Sequence, residues 1–256
     1  MQAGPVGVWV SAVADTLGVP LDWRVLPDDA AQGRRPWRSR LALETIDGLC
    51  ELDSTPAVIA AGPGYGSLRG FRAGLEERQL DYLVRVDPAI AFGELVPAKG
   101  VRNVHGATAS RSMITDYLRG QQIELEPFSW SEGGRRPAGS GTSRVVHSRF
   151  GALRMGSGSE SRGRDRWLVC EWPDGAEQPV RFWASNLPSD TSAADFALLA
   201  TLPARADLDG SRPGNILAGE LEWPTSTASI DLQLTLWVMA QEFRGLKAHR
   251  TLHPEA

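Results

Sequence analysis

The run AVIAAGPGYGSLRGFRAGLEERQLDYLVRV, from Ala57 to Val86, limits the fold more than any other part of the chain. Ala57–Ala61 is short and apolar, as a buried strand should be. Gly62-Pro63-Gly64-Tyr65-Gly66 then forces a turn. Leu68–Arg78 has helical spacing, with Phe71 and Leu75 facing inward. Tyr82–Val86 reads as a second strand, which Asp87-Pro88 stops. Two strands joined through a helix within so few residues predict a βαβ crossover with parallel strands.

The flanking segments extend this prediction. Val6–Val13 and Val19–Val25 are β-branched runs on either side of the Asp15–Gly18 turn, the pattern of an antiparallel hairpin. Asp28–Arg35 is a polar loop, and Arg38–Leu52 is an amphipathic helix carrying Ala42, Ile46, Leu49 and Cys50 on one side. Beyond Asp87 the texture changes. Strand-like pieces at Glu124–Trp130, Ser143–Arg154, Trp167–Trp172 and Val180–Ser185 alternate with Gly/Ser/Pro stretches, and a helix is predicted near Thr108–Arg119. After Asn186-Leu187-Pro188 helix returns, with Thr191 as its expected N-cap, and Ile230–Phe243 is a final helix. Pro203–Pro224 between them holds too much Gly and Pro to be one helix. The predicted class is therefore α/β: a mixed sheet flanked by helices, formed by residues 1–86 and 187–256, with a β-rich insertion lobe at 87–186.

Composition excludes some functions and leaves others open. A chain of 256 residues with 42% hydrophobic and 23% charged residues is an ordinary globular protein. Its net charge of −4 points to no particular partner, but the charge is uneven. Eight arginines stand between Gly133 and Arg166 against only Glu160 and Asp165, so the rest of the chain is acidic. Cys50 and Cys170 lack a partner at metal-ligand spacing and suit buried thiols in a reducing compartment. Met1–Val13 lacks the marks of a signal peptide, and Ser229–Phe243 is too short and too polar to span a bilayer. A cytoplasmic location away from membranes is expected.

Four segments, in order, resemble the DDE transposases of bacterial insertion sequences. They are GVPLDWRVLP (Gly18–Pro27), Arg38–Asp53, the Ala57–Val86 unit, and DRWLVCEWPDG (Asp165–Gly175) followed by FWASNLPSDT (Phe182–Thr191). The resemblance implies an RNase H-like sheet and cleavage or strand transfer of DNA. In that family the central strand ends in a pattern close to A-D-A-G-Y-G-D, whose first Asp holds a catalytic metal. The aligned residues here are Ala61, Gly62, Pro63, Gly64, Tyr65, Gly66 and Ser67. Gly62 therefore stands where the family has its second acid.

Such chemistry needs carboxylates around two divalent metals about 3.5–4 Å apart, and Mg²⁺ requires hard oxygen donors in near-octahedral array. The family's first Asp lies on a strand upstream of the segment matching Ala3–Val13. Its third acid, a Glu, belongs to a pattern Arg-x3-Glu-x6-Lys on a helix. Ungapped alignment from Thr191 places Pro203, Asp207 and Gly214 on those three positions. Asp207 is thus a vestigial position of the third acid, and the Arg and Lys are gone. Although the family uses Mg²⁺, neither a metal nor another cofactor is expected here.

Three functions compete at this stage. The first is a transposase remnant without cleavage activity. The second is a non-catalytic DNA-binding protein that follows the phosphate backbone with Arg135, Arg136 and Arg144. The third is a scaffold recruited for small-molecule chemistry, with the space beside Gly62 as a pocket and Tyr65, Asp207 and His105 as acid/base groups. The nine tryptophans fall mostly at strand positions and read as core. Gly62–Gly66 lacks the glycine spacing and the Lys-Ser/Thr of a phosphate loop.

Overall fold

The computed structural model describes residues 7–14, 17–25, 36–51, 57–87, 111–132, 144–155 and 166–205. They fall into two compact units, one holding the hairpin and first helix, the other running from Pro56 to Ser131 and from Arg144 to Thr201.

In the first unit β1 (Gly7–Ala14) pairs antiparallel with β2 (Leu17–Val25), in register from Gly7 opposite Val25 to Ala14 opposite Leu17. The register slips between Val10 and Ser11, a local irregularity beside Pro20, which has no N–H to give the ladder. Helix α1 (Pro36–Glu51) packs on this hairpin. Its Ala42, Thr45, Ile46 and Leu49 are buried at helical spacing, as is Val8 of β1. The hairpin and the helix predicted from sequence both form.

The second unit is a six-stranded mixed sheet flanked by helices. Its strands are β3 (Ile59–Ala61), β4 (Tyr82–Val86), β5 (Glu126–Glu132), β6 (Arg144–Met155), β7 (Arg166–Pro173) and β8 (Arg181–Ser185), in the order β3-β4-β8-β7-β6-β5. β3 and β4 run parallel, Ile59 opposite Tyr82 and Ala61 opposite Val84. The one-turn helix α2 (Pro63–Gly66) and helix α3 (Arg69–Glu77) connect them. This is the expected crossover. β8 then pairs antiparallel with β4, β7 with β8 and β6 with β7.

The strands from 124–185 therefore join β3 and β4 in a single sheet, where sequence reading gave them a lobe of their own. Pairing explains this: β4 has a second backbone edge opposite β3, and β8 satisfies its N–H and C=O groups. Alternation explains the rest. Trp167 and Val169 of β7 face one way with Trp183 of β8 and Leu83 of β4, while Leu168 and Cys170 face the other, and all are buried. A strand covered on both sides belongs to a sheet interior.

Helix α5 (Ala193–Arg205) closes the first face. Phe196 and Ala197 share a core with Leu83, Trp130, Phe150, Trp167, Val169, Trp183 and Leu187, and the Phe196 ring lies 5.3 Å from that of Trp167. Its N-cap is Ser192, one residue later than predicted. The Asp195 N–H donates to Ser192 Oγ (3.1 Å), and the Ser192 N–H donates back to Asp195 Oδ2 (3.2 Å), a reciprocal cap. Helices α3 and α4 (Arg111–Gly120) cover the opposite face. Tyr82 Oη donates to Glu76 of α3, and the Arg119 guanidinium of α4 lies over the Trp172 ring.

Asn186 ties β8 to the start of β4. Its Oδ1 accepts the Tyr82 N–H (2.7 Å) and its Nδ2 donates to the Leu80 carbonyl (3.0 Å), all buried. Asn186→Ala strands both backbone groups, so it is expected to lower the unfolding free energy by about 2 kcal/mol in urea titration.

Burial also sets the alkaline limit. It pushes the Cys170 thiol from 9.0 up to about 12, against a small opposing hydrogen bond to the Gly151 backbone. Burial, and next the Glu76 charge, raise Tyr82 well above its usual value. Both groups keep protons that the unfolded chain releases, so stability is intact below about pH 9 and falls as pH rises beyond it. Denaturation midpoints between pH 8 and 11 should decline. In the native state a maleimide at neutral pH should label Cys50, which is partly exposed, and spare Cys170.

Candidate functional site

The carboxyl ends of adjacent parallel strands are where α/β sheets gather ligands. β3 ends there at Ala61, and Gly62 caps α2 with φ −72° and ψ 173°, an extended conformation open to any residue. The Gly62 carbonyl accepts the Tyr65 N–H (3.1 Å) and the Gly66 N–H (2.9 Å). Pro63 occupies the first helical position, where its missing N–H costs nothing.

The glycines of this turn differ. A Cβ built on Gly62 or Gly64 meets nothing within 4 Å. On Gly66 it lies 2.1 Å from the Arg85 carbonyl oxygen and 3.0 Å from Val84 Cβ. Gly66 is therefore required by the close pass of α2 over β4, whereas neither backbone nor neighbours hold position 62 to glycine. Arg72, buried on α3, donates to the Gly66 carbonyl and fixes the turn from its other side.

Tyr65 is half-buried, its ring centroid 5.6 Å from that of Phe71. Sequence reasoning missed two groups at this end of the sheet. Asp87, read only as a strand stop, is exposed one residue past β4. Ser67 Oγ donates to Asp87 Oδ2 (3.1 Å) and accepts the Asp87 N–H (2.9 Å). The βαβ prediction itself held the signal, since it placed the last residues of both strands at one edge.

The structure thus brings Gly62 and Tyr65 together with Ser67 and Asp87. Arg144 is the first residue of β6, and nothing of its side chain is described. Asp207, Arg135, Arg136 and His105 lie outside the described residues.

A two-metal site can be tested against these donors. Gly62 contributes a hydrogen atom where the transposase resemblance would place a carboxylate, Tyr65 and Ser67 are neutral hydroxyls, and Asp87 is one acid already engaged by Ser67. Among the described residues no three His, Cys, Asp or Glu side chains converge. This donor set does not fit a pair of Mg²⁺ ions, whose charge must be balanced by several carboxylates. Among the same residues, no helix is long and apolar enough to cross a membrane. Compared with protein-family models and with curated proteins, the chain matches none.

Proposed function

We propose that this chain is an RNase H-like, DDE transposase-like protein that no longer carries out two-metal cleavage of DNA, and that the β3 terminus is the remnant of its metal site. The identity of residue 62 carries the reading. Glycine sits at a strand end whose backbone would accept an aspartate and whose surroundings leave room for one, so the acid has been lost without being excluded by the fold. The strand–turn–helix–strand unit around it supports the same origin. A cytoplasmic location suits a protein of this ancestry.

DNA is the partner we assign, held by its phosphates rather than cut. Arg135, Arg136 and Arg144 supply the charge, and each neutralised phosphate adds affinity that salt removes.

Incubating the protein with Mg²⁺ or Mn²⁺ and supercoiled plasmid should yield no nicking above buffer. Metal-dependent nicking that co-purifies with the folded protein would overturn the reading. On a DNA duplex, replacing the three arginines by alanine should weaken binding and reduce the slope of log affinity against log salt by about 3. An unchanged slope would remove DNA contact from these residues.

A further inference from the structure

A separate constellation lies on the sheet face covered by α3 and α4. Ser129 of β5 and His147 of β6 are adjacent, with Ser129 Oγ 2.7 Å from His147 Nδ1, and both side chains are exposed. β5 is an edge strand, so among the described residues no further strand pairs beyond Ser129. The His147 carbonyl accepts the Asp174 N–H (3.4 Å), which holds β6 at that point.

The same face carries positive charge near the pair. Arg149 follows His147 by two residues and so shares its face. Among the described residues its Nε has no hydrogen-bond partner, and it lies 3.8 Å from Asp174 Oδ1. Opposite Arg149 in register stands Trp172, with the Arg119 guanidinium 5.6 Å from its ring centre. Arg119 in turn lines an open depression of about 300 Å³ together with Thr115, Asp116, Glu177 and Gln178. A nucleophile, a base and a half-buried guanidinium thus share one side of the sheet, with Trp172 buried under Arg119 between them and the hollow.

We propose that Ser129 is a reactive serine with His147 as its general base, accepting an acyl group from an activated ester whose remainder lies along Arg149. A hydroxyl is a weak nucleophile unless a neighbouring base removes its proton, and the Oγ–Nδ1 separation is within the range for that transfer. With the imidazole proton on Nε2, Nδ1 accepts the hydroxyl hydrogen. Oγ then bonds to the ester carbonyl carbon, and the proton passes to Nδ1. The ester's oxygen leaves, taking that proton as an alcohol, and the acyl group stays on Oγ. His147 next deprotonates a water molecule, which attacks the acyl carbon, releases the carboxylic acid and restores Ser129. No oxidant or metal enters. The proposal is independent of the β3 terminus, and its failure leaves the reading of Gly62 untouched.

The test mixes the intact protein with p-nitrophenyl acetate and follows nitrophenolate release and peptide masses. The expected result is a rapid release phase with acetyl on the peptide containing Ser129. Ser129→Ala should abolish the phase, and His147→Ala should slow it about a hundredfold. Both side chains are exposed, so neither variant threatens the fold. Release by Ser129→Ala or His147→Ala at the wild-type rate, or acetyl only on other residues, would overturn the assignment.

Discussion

Gly66→Ala lowers the unfolding free energy by about 3 kcal/mol, whereas Gly62→Ala and Gly64→Ala leave it within about 1 kcal/mol of the parent. The new methyl at position 66 would sit 2.1 Å from a backbone carbonyl oxygen, and backbone cannot swing aside as a side-chain end can. Relief requires α2 to lift off β4, which also breaks the Arg72 contact to the Gly66 carbonyl. At position 62 the methyl enters open space on an extended backbone, and the stiffer unfolded chain offsets any local loss. Urea midpoints of the three variants check the contrast. Equal effects at 62 and 66 would mean that the turn does not pass over β4 as described.

Phe150→Ala is expected to cost about 4 kcal/mol, the usual loss when a fully buried aromatic ring is deleted from a core. The Phe150 ring lies 6.0 Å from each of Phe128, Trp130 and Trp183, edge-on to the first two, so it joins β5, β6 and β8. The loss should reach β4, because Leu83 shares this core. Hydrogen exchange is the decisive readout. In Phe150→Ala the amides of Tyr82–Val86 should lose protection together with those of β6. Protection of β4 unchanged beside an unprotected β6 would show that these strands do not form one cooperative sheet.

The elements with local signals could be read from sequence. The β3–α3–β4 unit shows its periods, its punctuation by Gly62–Gly66 and its stop at Asp87-Pro88 within one continuous stretch. The β1–β2 hairpin does the same. Strand order is another matter, since no local pattern tells β8 that its partner is β4. The pairing depends on contacts about a hundred residues apart, such as Asn186 with Tyr82 and Leu80. Alternation gave a hint, because the β7 core Trp167–Trp172 is apolar except for Glu171. That buried acid accepts the Ser148 hydroxyl at Oε1 (3.0 Å) and forms an ion pair through Oε2 with the Arg181 guanidinium (3.2 Å), so it interrupts the apolar run without opening β7 to water.

At the candidate site the sequence indicated the address and missed the difference between neighbours. Gly62 and Tyr65 could be placed by their position after β3. That Gly66 is the glycine the fold requires follows only from its distance to Arg85, a residue of another strand. Asp87 was visible as a residue and not as a neighbour of Ser67, because their hydrogen bonds close a loop across the whole crossover. The shift of the α5 cap from Thr191 to Ser192 has a local cause. Both residues have hydroxyls, but only Ser192 has an acid three positions on, at Asp195, to return the hydrogen bond.

The end of β3, as we read it, supplies too few charged oxygens to hold a divalent ion. Mn²⁺ titration followed by paramagnetic broadening of backbone amide signals tests it at the residues concerned. The expected result is no saturable broadening at Gly62, Tyr65 and Ser67 in the parent protein, at Mn²⁺ concentrations that broaden exposed acids only weakly and uniformly. Saturable, site-specific broadening centred on those amides, competed away by Mg²⁺, would mean that the β3 terminus still holds a divalent ion.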